Sequence, residues 1–165
     1  MIAQIAQWLL VFAASLILQT SFVPVIAIAG IKPDLLLVVL FFFCIRYGVM
    51  PGIFVGFFMG LGVDLYSPSL LGQNALVAMV TGAFLGLFNE RMMRTDPLIK
   101  MALLFVAFII HDSLFLIVQV VKLGDPVSTI FGGLLLHTLP RAIYSIAIAA
   151  LWFAWDMLVK PLARK

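Results

Sequence analysis

The sequence predicts an all-α, polytopic membrane protein, folded as a six-helix bundle and forming a single transmembrane domain over residues 1–165. Three observations lead to this prediction: a mean hydropathy of +1.24, a 65% share of hydrophobic residues, and only 10% charged residues. Soluble domains carry about 25% charged residues. With about 20 residues per membrane crossing, a chain of 165 residues holds five or six helices and no separate soluble domain.

The first three segments follow from hydropathy and from the residues that interrupt it. Segment one covers residues 2–22 and ends before Pro24 and the Gly30 to Pro33 turn; its length favours a retained first helix over a cleaved signal. Segment two covers 34–47, which gives about 21 Å of helix against about 30 Å of hydrocarbon. Segment three covers 51–66, from Pro51 to the stop at Ser67-Pro68. Segments two and three are therefore short, tilted or re-entrant.

The last three segments are longer. Segment four covers 71–89 and ends in a polar run, and segment five covers 98–121. The final segment covers 127–159, which is too long for one straight crossing, so we expect Pro140 to bend it.

Basic residues orient these segments, because short cytoplasmic loops are enriched in Lys and Arg. With both termini in the cytoplasm, only Lys32 and Lys122 fall outside and Arg141 falls within a helix. The inner side then collects Arg46, Arg91, Arg94, Lys100, Lys160, Arg164 and Lys165, together with the interfacial residues Trp8, Trp152 and Trp155. The basic residues behind the net charge of +3 form no stripe with interleaved aromatics, which argues against nucleic acid as a partner and leaves membrane lipid as the surroundings.

A ladder of small residues recurs at every fourth position of segment three. Residues four apart lie on one ridge of a helix, and glycines on that ridge allow another helix backbone to approach closely. The ladder ends on Asp64, which falls at the membrane edge, and segment four repeats the theme. We interpret the following residues as a helix-packing or partner interface: Gly48, Gly52, Gly56, Gly60, Gly82 and Gly86.

Polar residues inside the predicted segments form a second group. Counting along segments five and six places Asp112 and His137 at similar depth, about 15 Å from the outer boundary, with Arg141 about one turn deeper. An ion pair between Asp112 and Arg141 is feasible. Two interpretations stay open: a paired cluster that fixes packing, or a cavity open to the outer side that contacts a polar ligand or a partner's transmembrane helix. The cluster comprises Asp64, His111, Asp112, His137 and Arg141.

Other patterns assign local roles or argue against chemistry. Asp34, after Pro33, is expected to cap the start of segment two. The two histidines lack the spacing of a zinc site, and the lone Cys44 is expected to be a packing residue. Asp64 and Asp112 are the only carboxylates that could meet as a protease pair, and their surroundings differ from those of lipoprotein signal peptidases. No phosphate loop or nucleophile elbow occurs, so we expect no enzyme, cofactor or metal.

Four features in order make the chain resemble the MreD family of bacterial rod-shape-determining membrane proteins. They are Lys32-Pro33-Asp34-Leu35, the glycine ladder, Gly60-Leu61-Gly62-Val63-Asp64, and Leu71-Gly72. The third feature is the most specific, and the resemblance covers most of the chain.

The resemblance implies a non-enzymatic scaffold in the bacterial inner membrane that binds MreC and supports peptidoglycan synthesis. It also implies indirect partners, namely the RodA polymerase, its elongation transpeptidase, and MreB. The family is similar in fold to the substrate-binding subunits of energy-coupling-factor transporters. An alternative function is therefore that of a vitamin-type binding subunit of a transporter.

Overall fold

The described residues of the computed structural model form six α-helices and no β-strand, which confirms the predicted all-α class and helix number. The structure describes residues 2–23, 25, 32–67, 71–88, 97–123, 132 and 138–159, with the backbone alone described at 2–6, 9, 97, 148 and 151–159. The helices are α1 (Ile2–Ser21), α2 (Leu35–Tyr47), α3 (Val49–Tyr66), α4 (Gln73–Leu87), α5 (Pro97–Leu123) and α6 (Leu139–Val159).

A single residue joins α2 to α3. The predicted third segment began at Pro51, but α3 starts at Val49 with Pro51 in its first turn, so only Gly48 separates the two helices. Gly48 has φ 87, in the region that glycine adopts without steric penalty, and its N–H donates to the Cys44 carbonyl. This C-terminal glycine therefore ends α2 and reverses the chain directly into α3 without a longer loop.

The final helix coincides with the later part of the sixth predicted segment. That segment was predicted over 127–159 with a bend at Pro140, and α6 covers Leu139–Val159 with Pro140 in its first turn. Proline fits the first turn of a helix because the amides there have no intrahelical acceptor. Residues 127–131 and 133–137 of the predicted segment lie outside the described part of the chain.

Helix α2 occupies the centre of the bundle and contacts each of the other five helices. Eight of its 13 residues are buried, and they run around the whole helix without a polar face. A helix that is apolar on all sides is expected where protein surrounds it. The buried residues of α2 are Leu36, Leu37, Val38, Leu40, Phe41, Phe43, Cys44 and Ile45.

Consecutive helices run antiparallel, so the bundle has two distinct ends. At one end Trp8 of α1 donates its indole N–H to the Tyr47 hydroxyl over 2.9 Å, and at the other Gln19 accepts from the Leu35 amide. We call these the Tyr47 end and the Asp34 end. The first turns of α4 and α6 and the C-terminal half of α5 lie at the Asp34 end, where Gln73 bonds the Phe115 carbonyl.

Two helical stretches of the described residues are long and apolar enough to cross a membrane. They are Val49–Tyr66, which is all of α3, and Leu98–Lys122, which is most of α5.

Candidate functional site

The glycine ladder of α3 lies directly against α4. A Cβ added to Gly52 would lie 2.8 Å from the Gly82 carbonyl oxygen, and a Cβ on Gly82 would meet the Gly52 carbonyl in return. One turn further on, a Cβ on Gly56 would collide with the backbone of Ala78. The two backbones are therefore close enough that only glycine fits at these positions, as in small-residue helix crossings in membranes.

The two ends of this crossing are equally close. A Cβ on Gly60 would strike the backbone of Asn74 and Ala75, and one on Gly86 would strike Val49. The predicted small-residue ridge is thus covered by the chain's own α4. Gly52, Gly56, Gly60, Gly82 and Gly86 therefore take part in helix packing within the chain.

Asp64, the last residue of the ladder, holds the start of α4. Its carboxylate accepts hydrogen bonds from the backbone amides of Gly72, Asn74 and Ala75, each at 3.0 Å, and from the Asn74 side chain at 2.9 Å. A carboxylate at a helix N-terminus satisfies amides that have no intrahelical partner and interacts favourably with the helix dipole. Asp64 is 3% exposed, and both of its carboxylate oxygens are bonded to the start of α4.

Arg141 joins three helices through two carboxylates. Its Nη2 lies 2.5 Å from Oδ2 of Asp34 on the residue before α2, and its Nη1 lies 3.4 Å from Oδ1 of Asp112 on α5. The structure thus brings Asp112 and Arg141 together, as the depth count predicted, but the shorter contact is with Asp34. Nδ1 of His111 lies 3.1 Å from the same Asp112 oxygen.

Asp34 has a second role in addition to this ion pair. Its Oδ1 accepts the Leu37 amide at 3.0 Å, which is the N-cap bond that the sequence predicted for the start of α2. The backbone N–H of Asp34 donates to the Ser145 hydroxyl of α6 over 2.9 Å. One residue therefore caps α2 and ties it to α6 at the Asp34 end.

A cavity of about 240 Å³ opens beside this cluster. Residues from all six helices and their flanking turns line it, so it lies where the helices converge at the Asp34 end. Its polar lining residues are Gln19, Asp34, Ser67, Asn74, His111 and Arg141, and its apolar ones are Leu36, Leu37, Leu40, Met59, Gly60, Val63, Ala78 and Phe115. The cavity is therefore amphipathic.

The predicted cluster and this site overlap only in part. His111 and Arg141 line the cavity, and Asp112 bonds both of them without lining it. Asp64 lies one side chain away, bonded to Asn74, and His137 lies outside the described residues. Sequence reasoning missed the part that Asp34 and Gln19 play. The signal available was their position: both fall at the outer ends of predicted segments, on the side that also holds Asp112.

A comparison with known proteins identifies the family. A family model described as MreD, rod shape-determining protein MreD, matches residues 1–161, while no curated protein and no solved structure matches the chain. The match extends from the first residue to beyond the end of α6, and so includes the glycine ladder, the Asp64 cap and the cluster around Arg141. The chain therefore belongs to the MreD family of rod shape-determining proteins.

Proposed function

We propose that this chain is a non-enzymatic scaffold of the bacterial cell-elongation machinery that binds MreC in the inner membrane and supports peptidoglycan synthesis and rod shape. The observation that supports the proposal most strongly is the match of the MreD family model over residues 1–161. That family comprises bacterial membrane proteins that determine rod shape. The proposal adds the partner and the process in which the scaffold acts.

In the proposed topology all six helices cross the inner membrane within one domain, and both termini are cytoplasmic. The alternating helix directions support it, since α2 and α3 extend between the same two ends as α1 and α4. The Tyr47 end becomes the cytoplasmic one, because Arg46 and Trp8 lie there and the sequence-based topology assigns most Lys and Arg to that side. The Asp34 end, with its cavity, then faces outward.

The bonding of the buried carboxylates supports a scaffold and not an enzyme. Asp64 accepts four hydrogen bonds at the start of α4, and Asp34 is bonded to both the Leu37 amide and Arg141. Each of these bonds is made to a helix terminus or to the guanidinium that links helices, which are structural roles. These carboxylates hold helix ends in place.

We propose that MreC contacts the lipid-facing sides of the helices, because α4 already covers the glycine ladder. Large apolar side chains project there from α1 and α3, such as Leu10, Ile17, Phe54 and Phe58, each more than 60% exposed. A single transmembrane helix of MreC packs against such a surface through dispersion contacts. The RodA polymerase, its transpeptidase and MreB then join through MreC.

The test is co-purification of the full chain with the MreC of its own organism. We expect stoichiometric co-elution in a mild detergent, and loss of it when the transmembrane segment of MreC is replaced by an unrelated apolar helix of the same length. A correctly folded chain that elutes without intact MreC, or that retains the substituted MreC equally well, contradicts the proposed contact.

The alternative function is a vitamin-type binding subunit of a transporter, and the cavity is the observation that favours it. It would be supported by a vitamin that raises the thermal unfolding midpoint of the purified chain saturably. The resemblance to energy-coupling-factor subunits remains a prediction, and the family match favours shape determination.

A further inference from the structure

The cavity at the Asp34 end has an unequal set of charges beside it. Two carboxylates, Asp34 and Asp112, share the single guanidinium of Arg141. Of the described residues that line the cavity, Arg141 is the only Lys or Arg, and His111 is the only other residue that can become positive. With a neutral histidine the site has one negative charge in excess.

An excess negative charge on largely buried carboxylates beside the cavity favours a positively charged ligand. The side chains of Asp34 and Asp112 are 10% and 9% exposed, so water screens them poorly. An unbalanced charge is costly in surroundings of low polarity, and a cation that enters the cavity reduces that cost. An anion would instead be repelled by the same excess.

The lining of the cavity distinguishes between kinds of cation. No group of three or more His, Cys, Asp or Glu among the described residues could hold a metal ion. The apolar wall includes Leu36, Leu40 and Met59, which suits hydrocarbon and not a hydrated ion. The volume of about 240 Å³ is below the ~300–1,000 Å³ of pockets for drug-sized ligands, so the site suits a small group.

The hydrogen-bond acceptors beside the cavity indicate which class of cation fits it. Nδ1 of His111 is bonded to Asp112, so Nε2 is the ring nitrogen left to accept a hydrogen bond, and none of the described residues bonds to it. Asp34 adds carboxylate oxygens at the cavity wall. Acceptors of this kind fit a cation that carries N–H donors.

We propose that the cavity bounded by Asp34, His111 and Arg141 binds a primary ammonium group, with the adjoining carbon chain of the ligand lying along the leucine and methionine wall. The ammonium nitrogen donates to Asp34 and to Nε2 of His111, and Asp112 supplies charge without direct contact. Two sources share this chemistry: a free aliphatic amine, and the headgroup of an amine-containing phospholipid. The inference does not depend on the binding of MreC.

The test uses the full chain purified in an uncharged detergent, with butylamine as the probe. We expect butylamine to raise the thermal unfolding midpoint saturably, and 1-butanol, butyrate and tetramethylammonium to leave it unchanged. These controls keep the carbon chain without charge, reverse the charge, and keep the charge without N–H donors. A second arm compares lipid nanodiscs that contain phosphatidylethanolamine with discs of phosphatidylcholine alone, and stabilisation confined to the former identifies the lipid as the source.

A pair of variants tests the electrostatic part. Asp112→Asn removes the excess charge without altering a lining residue, and we expect it to weaken butylamine binding about tenfold or more, the scale of one charged interaction. His111→Gln keeps the charge and should weaken binding less. The proposal would be overturned by an equal effect of butylamine and butanol, by stabilisation with butyrate, or by no stabilisation in either arm. These comparisons use the unaltered chain, so they do not depend on the folding of a variant.

Discussion

Arg141 is the residue on which the Asp34 end depends most. Its guanidinium is bonded to Asp34 and Asp112, so it links the start of α2 to α5 and α6. Its Nε is buried without a partner among the described residues. Removing one member of a buried pair leaves the other charge uncompensated, which destabilises a protein more than removing both. Because Arg141 lies closer to Asp34 than to Asp112, we expect its energetic coupling to Asp34 to be the larger of the two.

We expect Asp34→Ala and Arg141→Ala to be strongly coupled. The double variant should lose about 1–3 kcal/mol less unfolding free energy than the sum of the two single variants, because the pair is 2.5 Å apart and partly buried. The Asp112→Ala and Arg141→Ala cycle, across 3.4 Å, should give the smaller coupling. Reversible unfolding in mixed micelles measures both cycles. Additive losses in the first cycle would contradict the ion pair.

The Asp64 cap gives a second prediction at the scale of one residue. Asp64→Ala leaves the amides of Gly72, Asn74 and Ala75 without their acceptor, and we expect a loss of about 1–2 kcal/mol in unfolding free energy. Asp64→Asn is the matched control, since its amide oxygen still accepts hydrogen bonds, and it should lose less. Equal stability of Asp64→Ala and the unaltered chain would refute the capping role.

At the scale of elements, the crossing of α3 and α4 depends on backbone contact and not on side chains. Gly52, Gly56 and Gly60 each face backbone atoms of α4 that have no rotamer with which to move aside. Gly62 lies on the same helix, but a Cβ there would meet only the flexible Leu16 side chain at 3.4 Å. The helix thus contains both a constrained glycine face and an unconstrained position.

This difference makes a matched pair of variants. Gly56→Ala should lower the unfolding free energy by about 1–3 kcal/mol, because the added methyl forces α3 and α4 apart. Gly62→Ala should be neutral or stabilising, since alanine is favoured over glycine inside a helix by about 0.5–1 kcal/mol. The same unfolding assay measures both, and equal effects of the two substitutions would rule out backbone contact at Gly56.

The prediction of elements from sequence succeeded where local signals were sufficient. Hydropathy located α1, α2, α4 and α5 to within a few residues, and the Pro33-Asp34 pair predicted the cap of α2. The predicted start of the sixth segment, at residue 127, lies outside the described residues and stays a prediction. Asp34 and Arg141 are 107 residues apart, so their pairing depends on how α2, α5 and α6 meet and has no local signature.

At the scale of the whole molecule, the proposed topology puts the two ends of the bundle in different compartments. Gln7 lies toward the Tyr47 end, and Leu71 precedes α4 at the Asp34 end; both are exposed. In a Cys44→Ala background, we expect Gln7→Cys to react with a membrane-impermeant thiol reagent only after the membrane is opened.

Leu71→Cys should react with the same reagent in cells whose inner membrane is intact, because the proposed topology puts the Asp34 end on the outer side. Cys44→Ala without an added cysteine is the blank. Labelling of Gln7→Cys and protection of Leu71→Cys in intact cells would invert the topology, and equal labelling at both sites would exclude a span between them.

The single-residue connection at Gly48 bears on how the chain enters the membrane. At 13 residues, α2 is about 20 Å long, too short to partition into hydrocarbon by itself. With no loop between them, α2 and α3 cannot be inserted as separate events, so they should enter together as a hairpin. The burial of α2 then reduces the need for its length to match the lipid, because α1 contacts both of its ends, through Tyr47 and through the Leu35 amide. The hydrophobic thickness of the membrane thus constrains the length of the outer helices more than the length of the central helix α2.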